Sequence, residues 1–321
     1  MWISLTLLST LFFALCEVFD KIGSSLEEED TEWKIIVWFG ISNAIFAAVI
    51  FFVKLCTPGF SAIEAMKSNP IVFVPQVLYS LSLLVSFLSL KLIPVFVESP
   101  LCCAEGAIGF IAVIVMYMFL GKDALIEEEI TPLKVFLAAA IFVCIIVFSY
   151  YHSKAEDKEA NKRLAGDNKF LKNGSFAIPG ILLALLSAVF DAASSTVNIY
   201  IVGEVYSAVD YFYVDSIIMA ILAAIAFFVI WIKRGRPYNP FGKGEWSRAL
   251  GGFCDCIGGA LNILAYELNP FYTDVIIGTY CVITVLISKI ILKEKISKKA
   301  NAWMIFTVIF VVAFSAAEEL L

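Results

Sequence analysis

The sequence predicts an all-α integral membrane protein: ten transmembrane helices in two inverted-topology five-helix repeats. Three observations predict it. Of the 321 residues, 61% are hydrophobic and 16% charged, against about 45–50% and 25% in soluble chains. The apolar residues fall in continuous runs of the length that carries a helix across a bilayer, about 20 residues. The second half of the chain also repeats the first. A cytosolic enzyme, a nucleic-acid binder and a disordered scaffold are excluded by this composition. A β-barrel is excluded because the runs are continuous rather than alternating.

The first run, 1–22, begins Met1-Trp2-Ile3-Ser4-Leu5. It has no basic n-region and no small-residue cleavage site, so it reads as a retained span rather than a signal peptide. The second run is 33–53. Residues 71–120 carry only Lys91, Glu98 and Glu105 as charges and are too long for one helix. Pro94 divides them into a third and a fourth span, because proline lacks a donor and keeps the preceding residue out of helix. The fifth run is 132–151, the sixth 177–202 and the seventh 211–232. Residues 249–292 divide at Pro270 into the eighth and ninth spans, and 301–320 is the tenth. The expected organisation is a first repeat over 1–151, a polar linker over 152–176 and a second repeat over 177–321.

The duplication is visible residue by residue. Residues 44–53, AIFAAVIFFV, match 220–229, AILAAIAFFV, at seven of ten positions with an offset of 176. The two proline hinges, Pro94 and Pro270, share that offset, and each has a carboxylate four residues on, Glu98 and Asp274. The first and sixth spans align at an offset of 174, which sets Glu17 opposite Asp191. An odd number of spans per copy makes the second copy enter the membrane from the other side, the arrangement of inverted-repeat transporters. Of the 23 Lys and Arg, 18 lie in the odd-numbered loops and four in the even ones. Positive residues collect in the cytoplasm, so the count puts the 152–176 linker inside and both termini outside.

Near the end of the ninth span stands Leu292-Lys293-Glu294-Lys295-Ile296-Ser297, followed by one last helix. With the duplicated ten-span layout, this resembles the drug/metabolite transporter superfamily and its EamA-like members. The first copy departs from the motif, with Leu120-Gly121-Lys122-Asp123. The resemblance implies carriage of amino acids, drugs, nucleotide sugars or other metabolites. It also implies cytoplasmic termini, opposite to the charge count.

Ionisable groups within lipid cost at least about 2.5–3.5 kcal/mol each on insertion scales, so they survive where they face a cavity or a partner. Glu105, Asp191 and Asp255 lie deepest in their spans, and Glu17 is nearer an end. Glu98, Asp215 and Asp274 sit near helix starts, where the dipole favours a carboxylate. Around Asp191, Ala184, Ala188, Ala192 and Thr196 recur every four residues, beside Ser187 and Ser195. Small residues admit close helix neighbours, so this side is expected to face the bundle. Gly258 and Gly259 after Asp255 suggest the same, as do Gly106 and Gly109 after Glu105. Several carboxyls crowded away from water cannot all stay ionised. They could attract an amine-bearing solute, or one could carry a proton, with Asp191 and its mate Glu17 at the centre. Tyr79, Tyr266 and Tyr280 are candidates to line the pathway, although membrane tyrosines also serve in packing and at the interface.

The eight cysteines lie mostly within apolar runs, and the single histidine, His152, lies in the linker. Soft packing residues are the simpler reading, and no metal site is expected. No phosphate loop, calcium loop or nucleotide motif is present, so the reading includes no cofactor. The expected partners are a small-molecule substrate and the lipid bilayer, with no nucleic acid, in a monomer or homodimer. The expected activity is secondary transport by alternating access across the plasma membrane, driven by protons or exchange, and not catalysis. A channel or receptor, or less readily an intramembrane enzyme, is the alternative.

Overall fold

The computed structural model describes residues 1–24, 30–55, 70–90, 105, 108–109, 131–164, 177–202, 206–242, 244–291 and 298–320. Among these residues the regular structure is helical, apart from one bridge between Val202 and Tyr206. The helices are α1 (Trp2–Ser24), α2 (Thr31–Leu55), α3 (Phe73–Leu90), α4 (Pro132–Leu164), α5 (Ala177–Ile201), α6 (Ala208–Arg234), α7 (Trp246–Leu268), α8 (Pro270–Ile277), α9 (Tyr280–Ile291) and α10 (Lys298–Leu320). Five of them, α1, α2, α5, α6 and α7, contain stretches long and apolar enough to cross a membrane. Shorter apolar stretches lie in α3, α4, α8–α9 and α10.

The expected break at Pro270 is present. Asn269 closes α7 with its N–H on the Ala265 carbonyl, and α8 starts at the proline. The ninth run is interrupted a second time at Gly278-Thr279, where the Thr279 hydroxyl donates to Ile276 O at 2.6 Å. The fifth run does not stop at 151; α4 continues to Leu164, into the expected linker. Pro94, the motif at 292–297 and the fourth run, except for residues 105, 108 and 109, lie outside the described residues.

The chain folds as two compact units that are not the two sequence halves. Unit 1 is Met1–Ser80 with Val197–Thr273, and unit 2 is Leu81–Thr196 with Asp274–Leu321.

In unit 1, α7 packs against both α1 and α2, and α2 packs against α6. Glycines permit the close approaches. A Cβ on Gly252 would stand 2.7 Å from the Trp38 carbonyl oxygen, and one on Gly40 would stand 2.6 Å from that of Met219. Ser9 Oγ donates to Gly258 O at 2.7 Å, joining α1 to α7. One end of the unit is tied by charge. Arg248 is fully buried; its Nη1 donates to Glu245 Oε2 and its Nη2 to Gly23 O, both at 2.8 Å. The second bond satisfies a carbonyl in the last turn of α1, where a cation also meets the negative end of the helix dipole. Tyr238 donates to the same Glu245 oxygen at 2.5 Å. Burial first, then the bond to Glu245 and its charge, push the Tyr238 hydroxyl pKa up. Asp30, just before α2, pairs with Arg234 Nε at 3.1 Å and Lys233 Nζ at 3.2 Å at the end of α6. Burial pushes the Asp30 carboxyl up, but these two cations outweigh it and hold it below the usual carboxylate range.

In unit 2, α4 packs against α10. The hydroxyls of Ser82 on α3 and Ser187 on α5 lie 2.9 Å apart, and each also bonds the other's carbonyl at 3.0 Å. Ser89 Oγ donates to Gly180 O at 3.1 Å. The alanine row of α5 is buried as expected, Ala184, Ala188 and Ala192 each being at most 2% exposed.

Both units carry large apolar residues outward along whole helix faces. Ile221, Ile225, Phe228 and Ile232 form such a row on α6, and Ile305, Val308, Ile309 and Val312 form one on α10. Rows like these are stable against hydrocarbon rather than water. With the five long apolar helices, they make this a membrane protein.

Candidate functional site

The apolar core of unit 1 holds a polar cluster to which four helices contribute. On α1 the residues are Glu17 and Asp20, three apart and so neighbours on the helix surface. Asp20 Oδ2 accepts from Cys16 Sγ at 3.4 Å. A Cβ on Gly251 would meet Asp20 Oδ1, so the absent side chain of Gly251 is what lets this carboxyl lie against α7. Asp255 on α7, itself buried, is the hub of the cluster. It lies within electrostatic range of Asp20, Asp215, Cys16, Cys254 and Cys256, and Glu17 lies within range of Asp20.

α2 supplies Asn43, buried in the middle of an apolar helix. Its Nδ2 donates to Phe39 O at 2.9 Å, and its Oδ1 accepts from Ser216 Oγ at 3.2 Å and Cys256 Sγ at 3.5 Å. The amide thereby ties α2 to α6 and α7 at the depth of the carboxyls. Among the described residues, Arg248 is the cation that acts on Asp20, and its Nη1 and Nη2 are held by Glu245 and Gly23. The cluster is therefore rich in carboxyl groups and acceptors, the chemistry that receives protons or cationic groups. Among the described residues, no set of His, Cys, Asp and Glu has the arrangement of a metal site. Cys16, Cys144, Cys254 and Cys256 are buried free thiols.

A second polar group in unit 1 joins α3, α5 and α6. Gln76 Nε2 donates to the Tyr211 hydroxyl at 2.7 Å, and that hydroxyl donates to Asn198 Oδ1. Lys54 at the end of α2 pairs with Asp210 in the first turn of α6. In unit 2, Asp191 on α5 shares a side-chain hydrogen bond with Glu105.

Of the residues singled out from the sequence, Glu17 and Asp255 thus stand in the unit 1 cluster, and Glu105 and Asp191 are paired in unit 2. Tyr79 and Tyr266 belong to unit 1, Tyr266 being 1% exposed, and Tyr280 belongs to unit 2. Asp20, Asn43 and Ser216 were missed, and Asp215 was read as a helix-start acid. The reason lies in the helix ends. Hydropathy starts the seventh span at 211, but Ser207 caps α6, accepting from Asp210 N at 3.3 Å, so the helix begins at Ala208 and Asp215 falls two turns inside. Likewise α1 runs to Ser24, which leaves Asp20 within a helix rather than at its edge. Asn43 had a signal, a lone amide within an apolar run.

No family model and no curated protein matches the chain. Solved structures do match, 24 chains in all. One, described only as "Crystal structure of protein", is 16% identical with a TM-score of 0.68 over 100% of both chains. At that identity the likeness speaks for the fold alone.

Proposed function

We propose that this chain is a secondary transporter that moves a small polar, amine-bearing or drug-like solute across a membrane by alternating access, in the manner of the EamA-like carriers that its sequence resembles. The observation that carries the proposal is the cluster of Glu17, Asp20, Asp215 and Asp255 among apolar helices, with Asn43 and Ser216 beside it. Burying several carboxyls within spanning helices is costly and marks ion or substrate pathways. α1 and α2 come from the first sequence half and α6 and α7 from the second, so the cluster draws on both copies.

The helix pairs support the inverted-repeat reading. Under the duplication, α1 corresponds to α5 and α3 to α7. The pair α1–α7 then has α5–α3 as its mate, and both pairs are hydrogen-bonded through serines. Ser82 and Gly258, the two contact points on α3 and α7, differ by the duplication offset of 176. Of the other packed pairs, α2–α6 and α4–α10 each unite a helix with its own copy, whereas α7 also packs on α2 and α6, and α1 touches α2. A two-fold relation between copies would produce the pairs α1–α7 with α3–α5, α2–α6 and α4–α10.

The test is solute counterflow and pH-driven uptake in proteoliposomes across a panel of amines, amino acids, nucleotide sugars and cationic drugs. A carrier saturates and shows counterflow. Replacing Asp255 or Asp191 by asparagine is expected to abolish uptake driven by a pH gradient while counterflow survives. Flux that rises linearly with solute and lacks counterflow refutes the carrier reading. Saturable uptake indifferent to both substitutions refutes the coupling role.

A further inference from the structure

We infer that α3, α5 and α8 are built to flex at Ser80, Thr196 and Thr273, the three residues where the chain passes between the compact units within a helix. Unit 1 ends at Ser80 within α3 and resumes at Val197 within α5, and it ends again at Thr273 within α8. At each of these positions the side-chain hydroxyl donates to the carbonyl four residues back. The bonds are Ser80 Oγ to Gln76 O at 2.6 Å, Thr196 Oγ1 to Ala192 O at 2.7 Å and Thr273 Oγ1 to Asn269 O at 2.6 Å. All three side chains are buried. A hydroxyl that shares the carbonyl of its own helix turn weakens the backbone bond there and favours bending.

The flanking contacts concentrate flexure at these turns in α3 and α5. On the unit 1 side, the Tyr211 hydroxyl holds both Gln76 of α3 and Asn198 of α5. Tyr211 is fully buried, so both helices are pinned to one fixed post. On the unit 2 side, Ser82 of α3 is bonded to Ser187 of α5, and Ser89 to Gly180. Each helix is thus held on either side of its crossing, with the weakened turn between the holds. The third crossing, in α8, lies between two interruptions of the helix, at Asn269-Pro270 and at Gly278-Thr279. Proline at 270 and a shared carbonyl at Asn269 leave that turn few backbone bonds to lose. A few element-interior or terminal residues that absorb a dihedral change are the usual anatomy of a hinge.

Back-bonded hydroxyls also occur inside a single unit, at Thr6 and Thr10 in α1 and Thr307 in α10, equally buried. They provide the comparison. Amide hydrogen exchange is measured by mass spectrometry on the full-length protein in lipid nanodiscs, without any solute. The amides around 80, 196 and 273 are expected to exchange several-fold faster than those around Thr6, Thr10 and Thr307. The substitutions Ser80→Ala, Thr196→Val and Thr273→Val are each expected to slow their own turn by roughly two- to threefold, with peptides from α2 and α6 unchanged. Equal protection at the crossing and comparison turns overturns the inference, as does exchange that the substitutions leave unaltered. Should a variant fail to fold, the wild-type comparison decides alone. The readout needs no transport activity, so it separates this inference from the transport proposal.

Discussion

Replacing Arg248 by methionine tests the packing of unit 1 most directly. The guanidinium is 0% exposed and makes charge-assisted bonds to Glu245 and to the last turn of α1. Methionine keeps much of the volume and removes both bonds. It leaves Glu245, a residue 7% exposed, with the Tyr238 hydroxyl but without the Arg248 guanidinium at that oxygen. Breaking a buried pair from one side costs about 3–5 kcal/mol, chiefly because the surviving charge stays desolvated. At about 2–4 °C per kcal/mol, the melting temperature should fall by about 6–20 °C. The assay is thermal unfolding in detergent micelles followed by tryptophan emission, since Trp246 and Trp38 flank the network. The double variant Glu245→Gln with Arg248→Met should lose less than the sum of the single variants, because it leaves no orphaned charge. A single variant melting within about 2 °C of the parent, or strictly additive losses, would refute the reasoning.

Two further outcomes follow from the same unit. Gly252→Ala places a methyl 2.7 Å from the Trp38 carbonyl oxygen and 2.8 Å from its carbon, backbone that cannot step aside. Unit 1 should lose about 1–3 kcal/mol, read by denaturant titration; an unchanged midpoint contradicts the close approach of α7 to α2. Asp30→Asn removes a carboxyl that Arg234 and Lys233 hold below its ordinary value. A depressed folded value stabilises above the unfolded pKa of about 4 and loses that contribution as pH falls through the folded value. The parent should therefore outmelt the variant at neutral pH, by about 1 kcal/mol or less, and the gap should close on acidification. A gap that persists unchanged at pH well below 3 counts against the pair.

Much of the local structure was legible because it depends on the solvent and on neighbours in sequence. A run of apolar residues bounded by polar ones has few alternatives to a spanning helix, since backbone groups in lipid must bond within their own segment. That reasoning located the bodies of α1, α2, α5, α6 and α7. The proline rule located the break at Asn269-Pro270, and small-residue spacing identified the buried face of α5. Helix ends were less legible. Hydropathy does not register a capping serine such as Ser207, nor a last turn closed by an arginine from another helix, as Gly23 is closed by Arg248. The first of those ends is why Asp215 was read as a helix-start acid, and Asp20, near the second, was not singled out at all.

By itself, then, the sequence determined the solvent, the helical class, the bodies of the helices and the presence of carboxyls inside them, because these follow from composition and short-range periodicity. Only the tertiary structure decided which carboxyls share a neighbourhood. Glu17 and Asp191 are opposite one another in the aligned copies, yet Glu17 stands with Asp20 and Asp255 in unit 1, while Asp191 is bonded to Glu105 in unit 2. The interleaving of the halves has the same origin. Which helix lies against which depends on side-chain fit, such as Gly251 yielding room to Asp20 and Gly252 to Trp38. Complementarity of that kind joins residues more than 200 positions apart, where neither hydropathy nor spacing carries a signal.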